Sequence, residues 1–176
     1  MARPKFFRDP VHGQIGYDAV DLASPPPDGG KPDVSLSWLI RRLIDCPEFQ
    51  RLRQIRQNGL VNLVYHGAEN SRFGHSMGVC HLSREMYCRI VRNMGEPVDV
   101  RRLLATCSAA LLHDIGHGPF SHVLEEILVS CGLPFNHEWM TRRLLVELPE
   151  SAKKTGASVH ETLRQIDPTF PNEVAL

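Results

Sequence analysis

Val79, Leu82, Met86 and Ile90 recur at the spacing of one helix face, and they predict a long helix over 72–93 that Gly95-Glu96-Pro97 breaks. Past the break, Val100 to Ile115 predicts a central helix. Its nearly uniform apolarity from Ala109 to Leu112 is the pattern of a helix buried on most sides. Gly116, Gly118 and Pro119 end it, and Ser121 to Cys131 resumes helix. Asn136 caps a further helix through Leu148, and Ser158-Val159-His160-Glu161 has the capping-box pattern of a short helix ending before Pro168.

Upstream, Ser35 to Ile44 predicts one helix, and the N-cap and capping-box pattern Asp45-Cys46-Pro47-Glu48 opens another through about Gln57. Asn58-Gly59 stops it, leaving Leu60 to Ser71 as a connector. Residues 6–17 read as extended, with Asp9-Pro10 and His12-Gly13 as breakers, and Ser24-Pro25-Pro26-Pro27-Asp28-Gly29-Gly30 reads as a surface loop. The expected fold is all-α: an extended segment and Pro/Gly loop over 1–34, then a helical core over 35–176, with no internal repeat.

With 176 residues, 42% of them hydrophobic, one domain with a real core is affordable. Lys plus Arg equals Asp plus Glu at 20 each, so nothing indicates a global nucleic-acid binder, although Arg51, Arg53, Arg56 and Arg72 leave room for a local basic pocket. The cysteines Cys46, Cys80, Cys88, Cys107 and Cys131 lack CxxC spacing and read as reduced core residues. The start, Met1 to Arg8, has no signal-peptide apolar region, and no stretch approaches a membrane span; a soluble cytoplasmic protein is expected.

The chemistry gathers at the end of the central helix. His113 and Asp114 are adjacent metal-capable side chains following an apolar run, expensive to bury unless something uses them. His75 lies 38 positions upstream, and His117, His122 and His137 follow. Imidazole nitrogen with carboxylate oxygen suits a divalent ion: Mn, Fe, Zn or, less well, Mg.

Arg72-Phe73-Gly74-His75-Ser76-Met77-Gly78, followed by Leu112-His113-Asp114-Ile115-Gly116-His117-Gly118-Pro119-Phe120-Ser121-His122, resembles the HD-domain superfamily. Within it, the chain is most similar to the deoxynucleoside triphosphate triphosphohydrolases, the branch of the SAM-and-HD-domain enzyme and bacterial dGTPases. Asp9-Pro10-Val11-His12-Gly13 and Phe49-Gln50-Arg51-Leu52-Arg53-Gln54-Ile55 extend the match to roughly residues 7 to 145. The resemblance implies hydrolysis of a dNTP to a deoxynucleoside and triphosphate. It makes His75, His113 and Asp114 three of four metal ligands. His117, His122 and His137 become catalytic histidines, with Glu125 where the family has a supporting aspartate. It makes Arg72 a phosphate-binding arginine and Gln57 the reader of the sugar 3′-hydroxyl.

Asp45, Gln50 and Arg53 match positions that bind an activating guanine nucleotide at a subunit interface in part of the family. Their plainer reading is an N-cap and a solvated helix face, and Arg8 and Gln14 depart from the regulated pattern. The family's fourth ligand, an aspartate well downstream of His137, has no counterpart before Leu176; Asp167 sits in a helix-ending turn without that context. The core is therefore expected to be a C-terminally truncated bundle, completed by another copy or a partner chain. Three readings stand: part of a triphosphohydrolase, another HD nucleotidase or phosphodiesterase, or a non-catalytic nucleotide- or metal-binding module.

Overall fold

The computed structural model describes residues 5–9, 12–17, 35–147 and 158–175. The proline-rich loop expected at 24–30, the turn residues Pro10 and Val11, and Leu148 fall outside them. The described residues are mainly helical, and the extended stretch is a hairpin in which β1 (Lys5–Asp9) pairs antiparallel with β2 (Gly13–Tyr17), Phe7 opposite Ile15. Ile15 is buried and the Phe7 ring lies 6.1 Å from Phe73, so the apolar face of the hairpin rests on the helical body.

Helix α1 (Leu36–Ile44) starts where Ser35 accepts the Trp38 N–H, and its inner face, Leu39, Ile40, Leu43 and Ile44, is buried. The next helix corrects the sequence expectation at both ends. Asp45 closes α1 instead of capping its successor; Cys46 is the extended N-cap, and α2 (Pro47–Gln50) passes into a 3-10 turn over Arg51–Gln54. Pro47 explains the shift, because the residue before a proline is driven out of the helical region while proline suits the first helical turn. The chain then straightens: Gln57 N–H donates to Asn70 O at 2.9 Å and Arg72 N–H to Ile55 O at 2.8 Å. That two-stranded clasp, with a bridge between Arg56 and Ser71, brings the Gln57 segment to the start of the long helix.

Helix α3 (Arg72–Met94) begins under Ser71, which accepts the Gly74 N–H, and ends at Gly95, whose φ of 70° is the left-handed conformation glycine takes without strain. Its buried face is Phe73, Ser76, Met77 and Cys80. The stripe that predicted the helix faces outward instead, with Leu82 44%, Met86 61% and Ile90 53% exposed. Periodicity reveals a helix; it does not say which of two faces the core takes when the true one is rich in Ser and Cys.

Helix α4 (Val100–Leu112), capped by Asp99, returns along α3. Ser76 and Cys80 on one helix and Cys107 and Ser108 on the other are small and almost fully buried, residue types that let two helices approach closely. The N-terminal end of α3 and the C-terminal end of α4 thereby meet. α4 stops at Leu112, short of the expected Ile115, in a run of tight turns: Ile115 N–H to Leu112 O and His117 N–H to Asp114 O.

Helices α5 (His122–Ser130) and α6 (His137–Val146, capped by Asn136) lie beyond this corner, and α7 (Val159–Arg164) opens with Ser158 accepting the Glu161 N–H. An unforeseen helix, α8 (Phe170–Val174), packs on α4 and α6; its Phe170 is fully buried, and Glu173 receives two hydrogen bonds from Arg101 of α4. Asp167 accepts the Thr169 N–H and hydroxyl at the turn before it. The described cysteines are all free thiols; Cys46, Cys80 and Cys107 are core residues as expected, but Cys131 is exposed. Among the described residues no helix is long and apolar enough to cross a membrane.

Candidate metal centre and histidine cluster

His75, one turn into α3, and His113, at the end of α4, meet with ring centroids 5.2 Å apart and planes crossed at 67°. Asp114 lies between them, with Oδ2 3.7 Å from His75 Nε2 and Oδ1 3.3 Å from His113 Nε2. The sequence-predicted trio thus converges, one ligand atom of each lying within 4.8 Å of the others.

The donor geometry suits a cation here. His113 Nδ1 is 2.8 Å from Ala110 O, and a carbonyl can only accept, so Nδ1 carries a proton and Nε2 is the nitrogen left for a ligand bond. Nε2 faces the Asp114 carboxylate across 3.3 Å, a gap that an Nε2 proton or, in its place, a bound cation bridges. Burial pushes His75 below its usual imidazole range, with Asp114 opposing, which keeps it ligand-competent. Burial by itself would raise Asp114, but His113 and Arg72 outweigh it and hold the carboxyl below the usual carboxylate range. The donor set fits a divalent transition ion or magnesium.

Arg72 is only 4% exposed. Its Nη1 donates to Asp114 Oδ2 at 2.5 Å and its Nε to Ser121 Oγ at 2.9 Å, and the same hydroxyl donates to Arg56 O at 3.2 Å. Ser121 and its neighbour Phe120 have φ of 55° and 62°, rare for residues with a Cβ and a strain of about 1–3 kcal/mol each. The hydrogen bonds of Ser121 hold that bend, which turns the chain into α5 and sets His122 against the remaining histidines.

A second group forms there from His117, His122, Glu125 and His137. His137 Nδ1 lies 2.7 Å from Glu125 Oε1, His122 Nδ1 3.4 Å from Oε2, and His117 Nδ1 3.5 Å from Oε1. Glu125 also accepts the His137 backbone N–H at the start of α6. Burial raises Glu125, but the hydrogen bonds from His122 and His137 bring its pKa below the usual range. His117 is 1% exposed and stacked on His137, centroids 3.8 Å apart and planes 11° from parallel. Burial, helped by Arg72 and His137, drops its pKa from 6.5 to about 3, so it is neutral at pH 7. Metal bonds lie in the imidazole plane, and an ion shared by two stacked rings would stand well outside both planes. The stacked pair is thus poorly placed to share an ion, while His122 crosses the His117 and His137 rings at 86° and 75°; the bonds the group makes are those to Glu125. The group touches the first through His117 Nε2, 3.5 Å from Asp114 Oδ1.

Two residues that hold the corner between the groups were not among the expected site residues, although Arg51 lies in the matched stretch 49–55. Arg51 donates from Nη1 to His117 O at 2.7 Å and from Nη2 to Ile115 O, and burial pulls its guanidinium below the usual value, against Glu48. Thr141 Oγ1 donates to His113 O at 3.2 Å and accepts the Gly116 N–H at 2.9 Å. Gly116 itself is required by space: a Cβ there would stand 2.1 Å from His137 O.

Gln57 lines two hollows, one of mixed lining and about 460 Å³ that includes His75, Asn70 and Ser71, and a more apolar one of about 770 Å³ that includes Leu60, Phe120 and His122. A third, of about 400 Å³, reaches His113 and His137 beside Val174 and Ala175. Asp45, Gln50 and Arg53 stand apart from both histidine groups. Arg53 Nε donates to Gln50 Oε1 at 2.8 Å and its guanidinium covers Phe73 at 3.6 Å, Gln50 Nε2 donates to Ile44 O, and Asp45 is exposed at the end of α1.

The HD domain matches residues 72–167, the span that holds both histidine groups. The chain is 37% identical over 175 residues to YwfO, an uncharacterized protein of Bacillus subtilis, covering 99% of this chain and 33% of that protein. It is 36% identical over 138 residues to the deoxynucleoside triphosphate triphosphohydrolase SAMHD1 of Xenopus laevis (76% of this chain, 19% of the relative). Against the Homo sapiens SAMHD1 the figures are 37% over 126 residues, 69% and 19%. The chain thus spans a third or less of the length of these relatives.

Proposed function

The chain belongs to the HD-domain family, and on that footing we propose that it is a divalent-metal phosphohydrolase that cleaves a dNTP to a deoxynucleoside and inorganic triphosphate. The observation that carries this reading is the pairing of a crossed His75–His113–Asp114 trio with a second histidine group whose buried member, His117, stands 3.5 Å from Asp114. An ion held by the trio supplies charge neutralisation at phosphate oxygens and lowers the pKa of nearby water. Water attacks the α-phosphorus, the bond to the 5′-oxygen breaks, and that oxygen takes a proton.

The second group handles that proton. Glu125 keeps the His137 proton on Nδ1, which leaves Nε2 free to orient water or accept from it. His122, 65% exposed in its side chain, is the histidine of the group most open to an incoming ligand and is assigned the leaving oxygen. His117, buried and neutral, links the two groups. Arg72 gives the phosphates a fixed positive charge; with Asp114 and Ser121 occupying it, it works as a field more than as an open fork. Gln57 stands where the two hollows meet, so a sugar hydroxyl at its amide puts phosphates toward His75 and the base toward Phe120.

Three protein ligands leave coordination positions for substrate oxygens and for a further protein ligand. An activating nucleotide at Asp45, Gln50 and Arg53 stands only as the alternative to a plain helix-end role, which their contacts to Ile44, Phe73 and one another fit. Product identification on a dNTP mixture with added Mn²⁺ tests the triphosphohydrolase reading. Inorganic triphosphate and free deoxynucleoside are expected; a deoxynucleoside monophosphate with pyrophosphate would replace it with a different phosphohydrolase.

A further inference from the structure

We propose that Arg51 is a positioning residue of the metal centre, acting through the backbone of the corner that carries Asp114 and His117. Once α4 ends, the carbonyls of Ile115 and His117 have no helical partner. One guanidinium reaches both, Nη1 to His117 O at 2.7 Å and Nη2 to Ile115 O. Two donors fixed in a single plane set both the separation and the direction of those carbonyls, which a one-point donor cannot do.

The residues between and beside the clamped carbonyls are the ones the chemistry depends on. Asp114 Oδ1 stands 3.3 Å from His113 Nε2 and 3.5 Å from His117 Nε2, so a rotation of the corner would displace the metal trio and the proton group together. Thr141 grips the opposite side of the same corner at His113 O and Gly116 N. The clamp comes from the 3-10 turn at Arg51–Gln54, far upstream in sequence, and its hydrogen bonds go to backbone oxygens. Arg51 therefore sets geometry and takes no part in the reaction itself.

This inference rests on the metal-centre reading, and the test separates the two. Mn²⁺ affinity would be measured by titration calorimetry on the chain and its Arg51→Gln, Arg51→Lys and Arg101→Gln variants, with the metal-free thermal midpoint of each. Arg51→Gln is expected to bind roughly tenfold or more weakly, the usual effect of losing a partner that orients ligands, and Arg51→Lys to recover part of that loss. Arg101→Gln, which loses the ion pair to Glu173 at the other end of α4, is expected to lower the midpoint and leave affinity within about twofold.

Native-like affinity in Arg51→Gln overturns the proposal. So does a loss in Arg101→Gln that tracks its midpoint, because affinity would then report only global stability. Should Arg51→Gln fail to fold, Arg51→Lys decides: weaker binding supports the clamp and unchanged binding overturns it. A folded native chain that binds no Mn²⁺ sinks the metal centre and this inference with it, whereas native binding untouched by Arg51→Gln sinks the clamp alone.

Discussion

His75 and His113 meet with ring planes 67° apart and both Nε2 atoms turned to Asp114, whereas His117 and His137 lie face to face, 3.8 Å apart and 11° from parallel. The first pair is partly open, 30% and 38% exposed in its side chains, and comes from two helix ends that small residues let approach. In the second, only His137 is hydrogen-bonded to the Glu125 carboxylate, 2.7 Å from its Nδ1. Crossed rings let lone pairs converge on one point; parallel rings do not. On the proposed reading the first pair suits an ion and the second proton transfer.

Asp114 touches both groups, and removing its charge gives the largest effect. Asp114→Asn should abolish metal binding and hydrolysis together and leave the Arg72 guanidinium buried without its counter-charge, destabilising the fold by about 3–5 kcal/mol; metal analysis and a denaturant titration check both. Next comes a change confined to the second group. His137→Ala should retain the metal and lose roughly 10²–10⁴-fold in turnover, the scale of a missing acid or base, as steady-state kinetics with metal content on the same sample would show. Loss of metal in that variant would erase the distinction between the groups.

Acid sharpens the comparison more gently. His117, at about 3, and His75, also lowered, refuse protons that the unfolded chain accepts below about pH 6.5. The unfolded state therefore binds more protons as pH falls, and stability must fall with it. Asp114 and Glu125, both lowered, extend the loss further into acid. Thermal midpoints of the metal-free chain should be level above about pH 7 and decline from about 6.5 downward, and His117→Gln should soften that decline. Smallest is Gly116→Ala, which forces α6 away from the corner at a cost of about 1–3 kcal/mol, measurable by chemical denaturation.

The parts of this arrangement that were legible in the sequence are those written in local signals. Caps at Ser35, Asn136 and Ser158 marked helix starts, and the motif around His113 and Asp114 marked the meeting point of the chain's chemistry. The start of α2 was misplaced by one residue because Pro47 overrode the capping pattern at Asp45. The periodicity of Leu82, Met86 and Ile90 marked α3 as a helix but not its buried face, because the core uses the less apolar Ser76 and Cys80. Helix α8 escaped because its burial depends on Arg101 and α4, contacts distant in sequence. The roles of Arg51, which the sequence placed only in a matched stretch, and of Thr141 escaped for the same reason: their partners include backbone oxygens, which no side-chain pattern reports.

The division between the two histidine groups is tested most directly by counting bound ions in matched variants. Elemental analysis of the Mn²⁺-loaded, desalted chain should give one ion per chain, none in His75→Ala, and one still in His117→Ala and His137→Ala. An ion that survives His75→Ala and disappears with His137→Ala, or two ions per native chain, would contradict the account.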